Sequence, residues 1–283
     1  CVLAGSACLV RMRERVQAPP MALRTATLED LTEKIERFDS IRSMKATVTL
    51  QLSVVTEDEE QVQDFRDVKG FVLVNRPRSI RVIGQVPVVA TTAFEMASDG
   101  NEFQVHLPAK NKFLVGESSV KAGSSKRADN VRPHHILGAL LIDPPQSAES
   151  KTFLVNRWEG SRAYQVVSLL REANGGPLKL SREIWFDRSG LDIARLIVFD
   201  DAGEPVTIAR YADWSEQDSL PFPAWVAISR PKDGYDLQVR ILNPGLNEKV
   251  SEDGFQLKPP RGVRIQRVGG TLGEKAGTNS AHD

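Results

Sequence analysis

From Ala46 to Leu242 apolar residues return at every second position, in one run after another. A chain buries that pattern as β-strands, whose successive side chains point to opposite faces. Residues 46–54 show it without a break: Val48, Leu50, Leu52 and Val54 fall on one side, Thr47, Thr49, Gln51 and Ser53 on the other. Similar runs cover 68–75, 79–83, 103–107, 153–156, 163–170, 180–187, 193–199, 207–214, 224–229 and 235–242. Acidic residues 57–60, Asp99-Gly100, Asp201-Ala202-Gly203 and Asp233-Gly234 stand between runs as turns. Strands recurring about every ten residues with short connections predict a meandering antiparallel sheet rather than βαβ units.

Two segments break the period. Thr27 precedes Glu29 and Asp30, an N-cap with acid in the first turn, and Leu28, Leu31, Ile35 and Phe38 recur at helical spacing. Residues 133–142 open on Pro133 and stop before Asp143-Pro144-Pro145, which predicts a short and very apolar helix. Residues 71–74 and 196–199 are apolar on both faces and need cover on both. A sheet of about ten strands usually curls, splits or closes. A curved sheet around a hydrophobic hollow meets both demands, and so does a sandwich with a packed core.

Composition narrows the chemistry. Lys+Arg and Asp+Glu both number 37, so no nucleic-acid partner is expected. Cys1 and Cys8 are the two cysteines, which leaves the body without a thiol nucleophile or a cysteine-ligated metal. His134 and His135 are adjacent, about 100° apart on a helix, and cannot grip one metal as an i, i+4 pair could. His106 falls on the polar face of its strand. Trp158, Trp185, Trp214 and Trp225 lack basic interleaving and read as core or rim anchors. With no phosphate loop, dinucleotide fingerprint or nucleophile elbow, the chain reads as a binding protein with no cofactor, no metal and no catalysis.

The first eight residues, Cys1-Val-Leu-Ala-Gly-Ser-Ala-Cys8, form an apolar and small-residue run followed by Arg11, Arg13 and Arg15. This is the pattern of a signal-peptide remnant. Ser6-Ala7-Cys8 resembles the lipobox of bacterial lipoproteins, in which the cysteine receives a diacylglycerol; Gly5 departs from the Leu or Val expected there. Cys8 is therefore the candidate lipid-attachment residue, with Cys1 as the alternative. Residues 9–26, with Pro19-Pro20, read as a tether, 27–268 as one domain, and the Gly/Thr/Ser/Ala-rich residues 269–283 as a disordered tail.

Three further stretches carry a family resemblance over about residues 28–268: Gly70-Phe-Val-Leu-Val-Asn-Arg-Pro77, Ser98-Asp-Gly-Asn-Glu-Phe-Gln-Val105 with Pro108-Ala-Lys-Asn-Lys112, and Phe255-Gln-Leu-Lys-Pro-Pro-Arg-Gly-Val263 after Leu246-Asn247. In this order they resemble periplasmic lipoprotein carriers and receptors of the LolA/LolB type. The resemblance implies a mainly β (α+β) fold, a curved antiparallel half-barrel of about eleven strands with lid helices over an apolar cavity. It implies acyl chains of lipoproteins or other lipids as cargo, and a place at the periplasmic face of the outer membrane. It makes Arg76 a latch between cavity and lid; the residues alone equally allow Arg76 to face water at a strand end. Ile136, Leu137, Leu140 and Leu141 fall where the family has a lid helix. Residues 85–94, with Val86, Val88, Val89 and Phe94, read as a membrane-inserting apolar loop or as a further buried strand. The competing function is a periplasmic scaffold lipoprotein that binds a partner protein and no lipid.

Overall fold

The computed structural model describes residues 22–55, 62–86, 91–118, 131–172 and 176–268. Cys1, Cys8, Val88, Val89, the acidic residues 57–60, most of the proposed tether and the tail lie outside them. After helix α1 (Leu28–Glu36) come β1 (Ser43–Val55), β2 (Val62–Asn75), β3 (Ser79–Gln85), β4 (Thr92–Ser98), β5 (Glu102–Leu107) and β6 (Lys112–Glu117). Helix α2 (Pro133–Leu140) separates these from β7 (Lys151–Glu159), β8 (Arg162–Glu172), β9 (Leu178–Asp187), β10 (Asp192–Phe199), β11 (Pro205–Gln217), β12 (Leu220–Arg230) and β13 (Tyr235–Leu246). A last strand, β14 (Arg264–Val268), lies parallel to β6.

All fourteen strands belong to one unclosed sheet in the order β14-β6-β5-β4-β3-β2-β1-β13-β12-β11-β10-β9-β8-β7. Two meanders, β1 to β6 and β7 to β13, are joined where β1 pairs antiparallel with β13. The period-two runs match eleven of these strands; β4, β6 and β14 add the other three. The closing segment of the resemblance is displaced. Phe255 ends a 3₁₀ turn, and the strand begins at Arg264.

The sheet is curved, and α2 shows how strongly. This helix touches β3 and β4 on one side and β11 and β12 on the other. Six strand spacings separate β4 from β11, about 29 Å if the sheet were flat. A helix of 8 residues is about 12 Å long. It reaches both groups because the sheet wraps around it. Register shifts in β1 near Ala46 and Gln51, and in β9–β10 near Ala194, supply the local bends that such wrapping requires.

The wrapped face holds the core. Val48, Leu50, Val74, Ile80, Leu169 and Ile184 are all fully inaccessible, and one continuous cluster joins both meanders and both helices. Thr27 caps α1 with a reciprocal Thr27–Asp30 box, and Leu31, Ile35 and Phe38 face inward. The Phe38 ring meets Trp214 edge-on at 5.8 Å. At β2–β3, Gly70 stands opposite Gly84. A Cβ on Gly70 would lie 2.0 Å from the Ile83 carbonyl oxygen, and one on Gly84 2.5 Å from the Phe94 ring.

Several expectations change here. Phe94 is not a loop residue: it belongs to β4 and is buried, because Gly84 leaves room for its ring. Val86 lies just past β3 and is 39% exposed. Residues 71–74 are fully covered on one face and only partly on the other, where Leu73 lies against Gly254. Val72 and Val74 are buried, whereas Phe71 is 48% exposed and lines, with Leu73, Ile83 and Arg81, a convex-face cleft of about 820 Å³. The folded part starts before Thr27. Gln165 on β8 bonds both the N–H and the C=O of Ala26, and Arg24 exchanges bonds with Arg188.

Candidate functional site

Helix α2 has an unusual problem for its length. Ile136, Leu137, Leu140 and Leu141 are all buried, Leu141 one residue beyond the helix, so the apolar side is met by the core. The polar backbone at its C-terminal end still needs partners. The strands supply them with long polar side chains.

Arg76 follows β2, joined to Pro77 by a cis peptide bond. Its side chain is 5% exposed and turned inward. Nη2 donates to the Ile142 carbonyl at 3.2 Å, and Nη1 donates to Asp39 Oδ1 at 3.0 Å, with Asp143 Oδ1 3.6 Å away. Burial raises the Asp143 carboxyl above its ordinary value, against the pull of Arg76 and Arg182. Between Arg76, Arg78, Gly100 and Ser118 on the sheet side and His134, Leu137, Gly138 and Leu141 on the other lies a cleft of about 300 Å³.

Three more side chains hold the same segment. From β9, Arg182 donates to the carbonyls of Asp143 (2.9 Å) and Pro144 (3.0 Å) and pairs with Glu149 through Nε at 2.7 Å. Burial pushes the Glu149 carboxyl up, but the bonds and charge of Arg182 outweigh it, and the acid is held below its ordinary value. From β11, Tyr211 Oη donates to the Ala139 carbonyl at 2.8 Å, and its burial pushes the phenol up. From β12, Arg230 Nη2 stands 3.2 Å from His135 Nε2 while its other nitrogens bond Asp233 and Thr207. A guanidinium can only donate, so His135 Nε2 accepts and the neutral ring carries its proton on Nδ1.

Both histidines are kept neutral. Burial, Arg132 and Arg230 lower His134 to about 4; burial, Arg230 and the neighbouring His134 lower His135 to about 2. At the N-terminal end Arg132 itself is buried over the Phe103 ring, 4.4 Å from its centroid. Among the described residues no group of three or more His, Cys, Asp or Glu side chains could hold a metal ion.

The structure brings together Arg76, Ile136, Leu137, Leu140 and Leu141. Phe94 joins the same buried cluster as the α2 residues from β4, whereas Val86 lies outside it, exposed. Sequence reasoning missed Arg182, Arg230 and Tyr211, although two of them carried a signal. Arg182 lies in phase with inward-facing Ile184 and Phe186, and Arg230 with Val226 and Ile228, just as Arg76 follows Val72 and Val74.

No protein-family model and no curated protein matches the chain. Solved structures do. A DUF1329 family protein from Desulfovibrio piger is similar at TM-score 0.51 and 12% identity, over 80% of this chain and 95% of that one. A LolA superfamily protein from Nitrosomonas europaea gives 0.48 and 14% over 82% and 99%. A domain ascribed to outer membrane lipoprotein sorting, from Vibrio parahaemolyticus, gives 0.46 and 12% over 81% and 97%. At those scores neither of the last two carries an argument. What the first shows is a shared fold: this chain has the curved, mostly antiparallel architecture of the Desulfovibrio protein.

Proposed function

We propose that the domain binds acyl chains of lipoproteins or other lipids beneath α2, and that Arg76 is the latch that holds this lid closed. The observation that carries the reading is how α2 is held. Its apolar side chains make only non-directional contacts, which an acyl chain could replace, while its position is fixed by Arg76, Arg182, Arg230 and Tyr211 from separate parts of the sheet. Magnitudes favour exchange. Hydrogen bonds from charged groups contribute about 1.5–3 kcal/mol each. A chain of about 16 carbons gains on the order of 12 kcal/mol on full burial, at 0.8 kcal/mol per methylene. Cargo can therefore offset loss of the clasps, and the cleft beside Arg76 and Gly138 is the place for it to enter.

This makes the protein a carrier or acceptor of lipidated cargo rather than an enzyme. The periplasmic face of the outer membrane is its proposed site of action, with a diacylglycerol on Cys8 or Cys1 as the anchor. Native mass spectrometry of protein purified from membranes is expected to show bound lipid. A fluorescent fatty acid should be taken up faster by Arg76→Met than by the wild type. No bound lipid and no uptake by either form would sink the reading. A second reading, a scaffold that binds a partner protein, is favoured by the packing of the concave face, where Val48, Leu50 and Ile184 are already sealed.

A further inference from the structure

An unclosed sheet has two free edges, and here they differ in kind. Among the described residues nothing pairs with the outer edge of β14 or of β7. Strand β14 is 5 residues long and carries Arg264 and Arg267, and short charged edges are those that sheet proteins use to discourage pairing. Strand β7 is 9 residues long, and its sequence is Lys-Thr-Phe-Leu-Val-Asn-Arg-Trp-Glu. Two large side chains on it are exposed, Phe153 at 47% and Trp158 at 62%. Long edges with exposed aromatics are what sheet proteins ordinarily avoid.

The sequence of β7 is complementary to itself reversed. Laid antiparallel about Val155, Lys151 faces Glu159, Thr152 faces Trp158, Phe153 faces Arg157, Leu154 faces Asn156, and Val155 faces its own copy. Each charge meets the opposite charge or an aromatic ring, and both exposed aromatics gain cover. Glu159 is already paired with Arg195 of β10, at 3.0 and 2.8 Å, so the lysine of a second copy would join an existing ion pair.

The backbone agrees. Gly160, at φ 58°, and Ser161 form a two-residue turn between β7 and β8, with Glu159 opposite Arg162. The pair flanking such a turn is hydrogen-bonded, so odd-numbered residues of β7 bond β8. The N–H and C=O groups of Thr152, Leu154, Asn156 and Trp158 then point outward. About Val155 those four face one another in two copies, Thr152 with Trp158 and Leu154 with Asn156, as a hydrogen-bonded ladder requires.

We propose that a second copy of this chain docks edge to edge on β7, antiparallel about a two-fold axis at Val155, making one sheet of two molecules. The axis is perpendicular to the sheet, so both concave faces and both lids open on the same side. This inference is independent of lipid binding.

Mass by light scattering tests it. The full chain is expected at twice its 31.3 kDa. Asn156→Pro removes an outward N–H without breaking a bond to β8, and Lys151→Glu sets carboxylate against carboxylate; each should shift the mass to that of the single chain with unchanged circular dichroism. Register is tested by a cysteine. With Cys1→Ser and Cys8→Ser in place, Val155→Cys puts two Cα atoms about 4.5 Å apart, within disulfide range. Thr152→Cys leaves its copies about 20 Å apart. Oxidation should cross-link the first and not the second. A wild-type monomer, a dimer that both Asn156→Pro and Lys151→Glu leave intact, or a dimer in which Val155→Cys does not cross-link would each overturn the proposal.

Discussion

Arg76, Arg182 and Arg230 each occupy the apolar phase of a strand, Arg76 and Arg230 at its end and Arg182 at mid-strand, and each inward guanidinium found a carbonyl, a carboxylate or an imidazole on the α2 segment. Read as part of the alternation, all three were legible: an arginine where the pattern calls for valine is a residue with a buried partner. Arg76 was singled out by its resemblance to a family motif, and the other two were not. Removing one such group leaves acceptors unmet. Arg76→Met should cost about 1–3 kcal/mol, and Tyr211→Phe about 1–2 kcal/mol, in urea unfolding. Costs below a few tenths for both would mean that α2 is held by packing alone.

The histidines give α2 a pH dependence with a definite sign. His134 and His135 take a proton in the unfolded chain near 6.5 but resist it in the fold down to about 4 and about 2. Their contribution is complete above about 6.5 and is lost as pH falls through that window, at about 1.4 kcal/mol per unit for each ring. Glu149, held low by Arg182, enters only below its ordinary 4.5, while Asp143, raised by burial, acts with the opposite sign, so a variant without the two histidines is needed to read the rings. The urea midpoint should fall on acidification through that window, and the double variant His134→Gln/His135→Gln should flatten the slope. An equal slope in the double variant would assign the effect elsewhere.

At the scale of elements, legibility followed how cleanly each strand separates its faces. β1 alternates buried and accessible residues along most of its length and was read nearly to its ends. β4 was not, because its last three residues, Met96, Ala97 and Ser98, are buried on both faces; Ala97 packs in a separate small cluster with Phe113 and Leu257. β6 is interrupted the same way by Phe113 beside Leu114. β14, Arg-Ile-Gln-Arg-Val, buries only Val268 and leaves Ile265 57% exposed, so its pairing with β6 is made by backbone more than by side chains. Two glycines make opposite predictions. Gly138 sits inside α2 with nothing near its missing Cβ, and Gly138→Ala should raise stability by about 0.5–1 kcal/mol and slow uptake of an acyl probe. Gly70 has the Ile83 carbonyl where a Cβ would go, and Gly70→Ala should destabilise the fold by about 2 kcal/mol or more, seen as a marked fall in the thermal midpoint. Equal effects at both would contradict the close approach of β2 to β3.

For the whole molecule, the choice between curved sheet and sandwich was open in the sequence because both bury the same alternating residues. What decides it is α2, which touches strands six spacings apart. A ligand that takes the place of α2 stabilises the fold by mass action, about 2.7 kcal/mol at a hundredfold excess over its dissociation constant. Thermal unfolding with and without a long-chain fatty acid measures this. An unchanged midpoint for both the wild type and Arg76→Met would favour the scaffold reading.

The pairing of β1 with β13 has a temporal consequence. A ribosome makes β1 first and β13 almost last, so one side of β1 waits, with Val48, Leu50 and Leu52 on its inner face, while everything from β2 to β12 is synthesised. The two meanders can each zip locally, but the join between them closes only once Tyr235–Leu246 has emerged. Until then β1 is the open edge of the first meander, although it ends at the middle of the finished sheet, and any chaperone of this protein has that edge to shield.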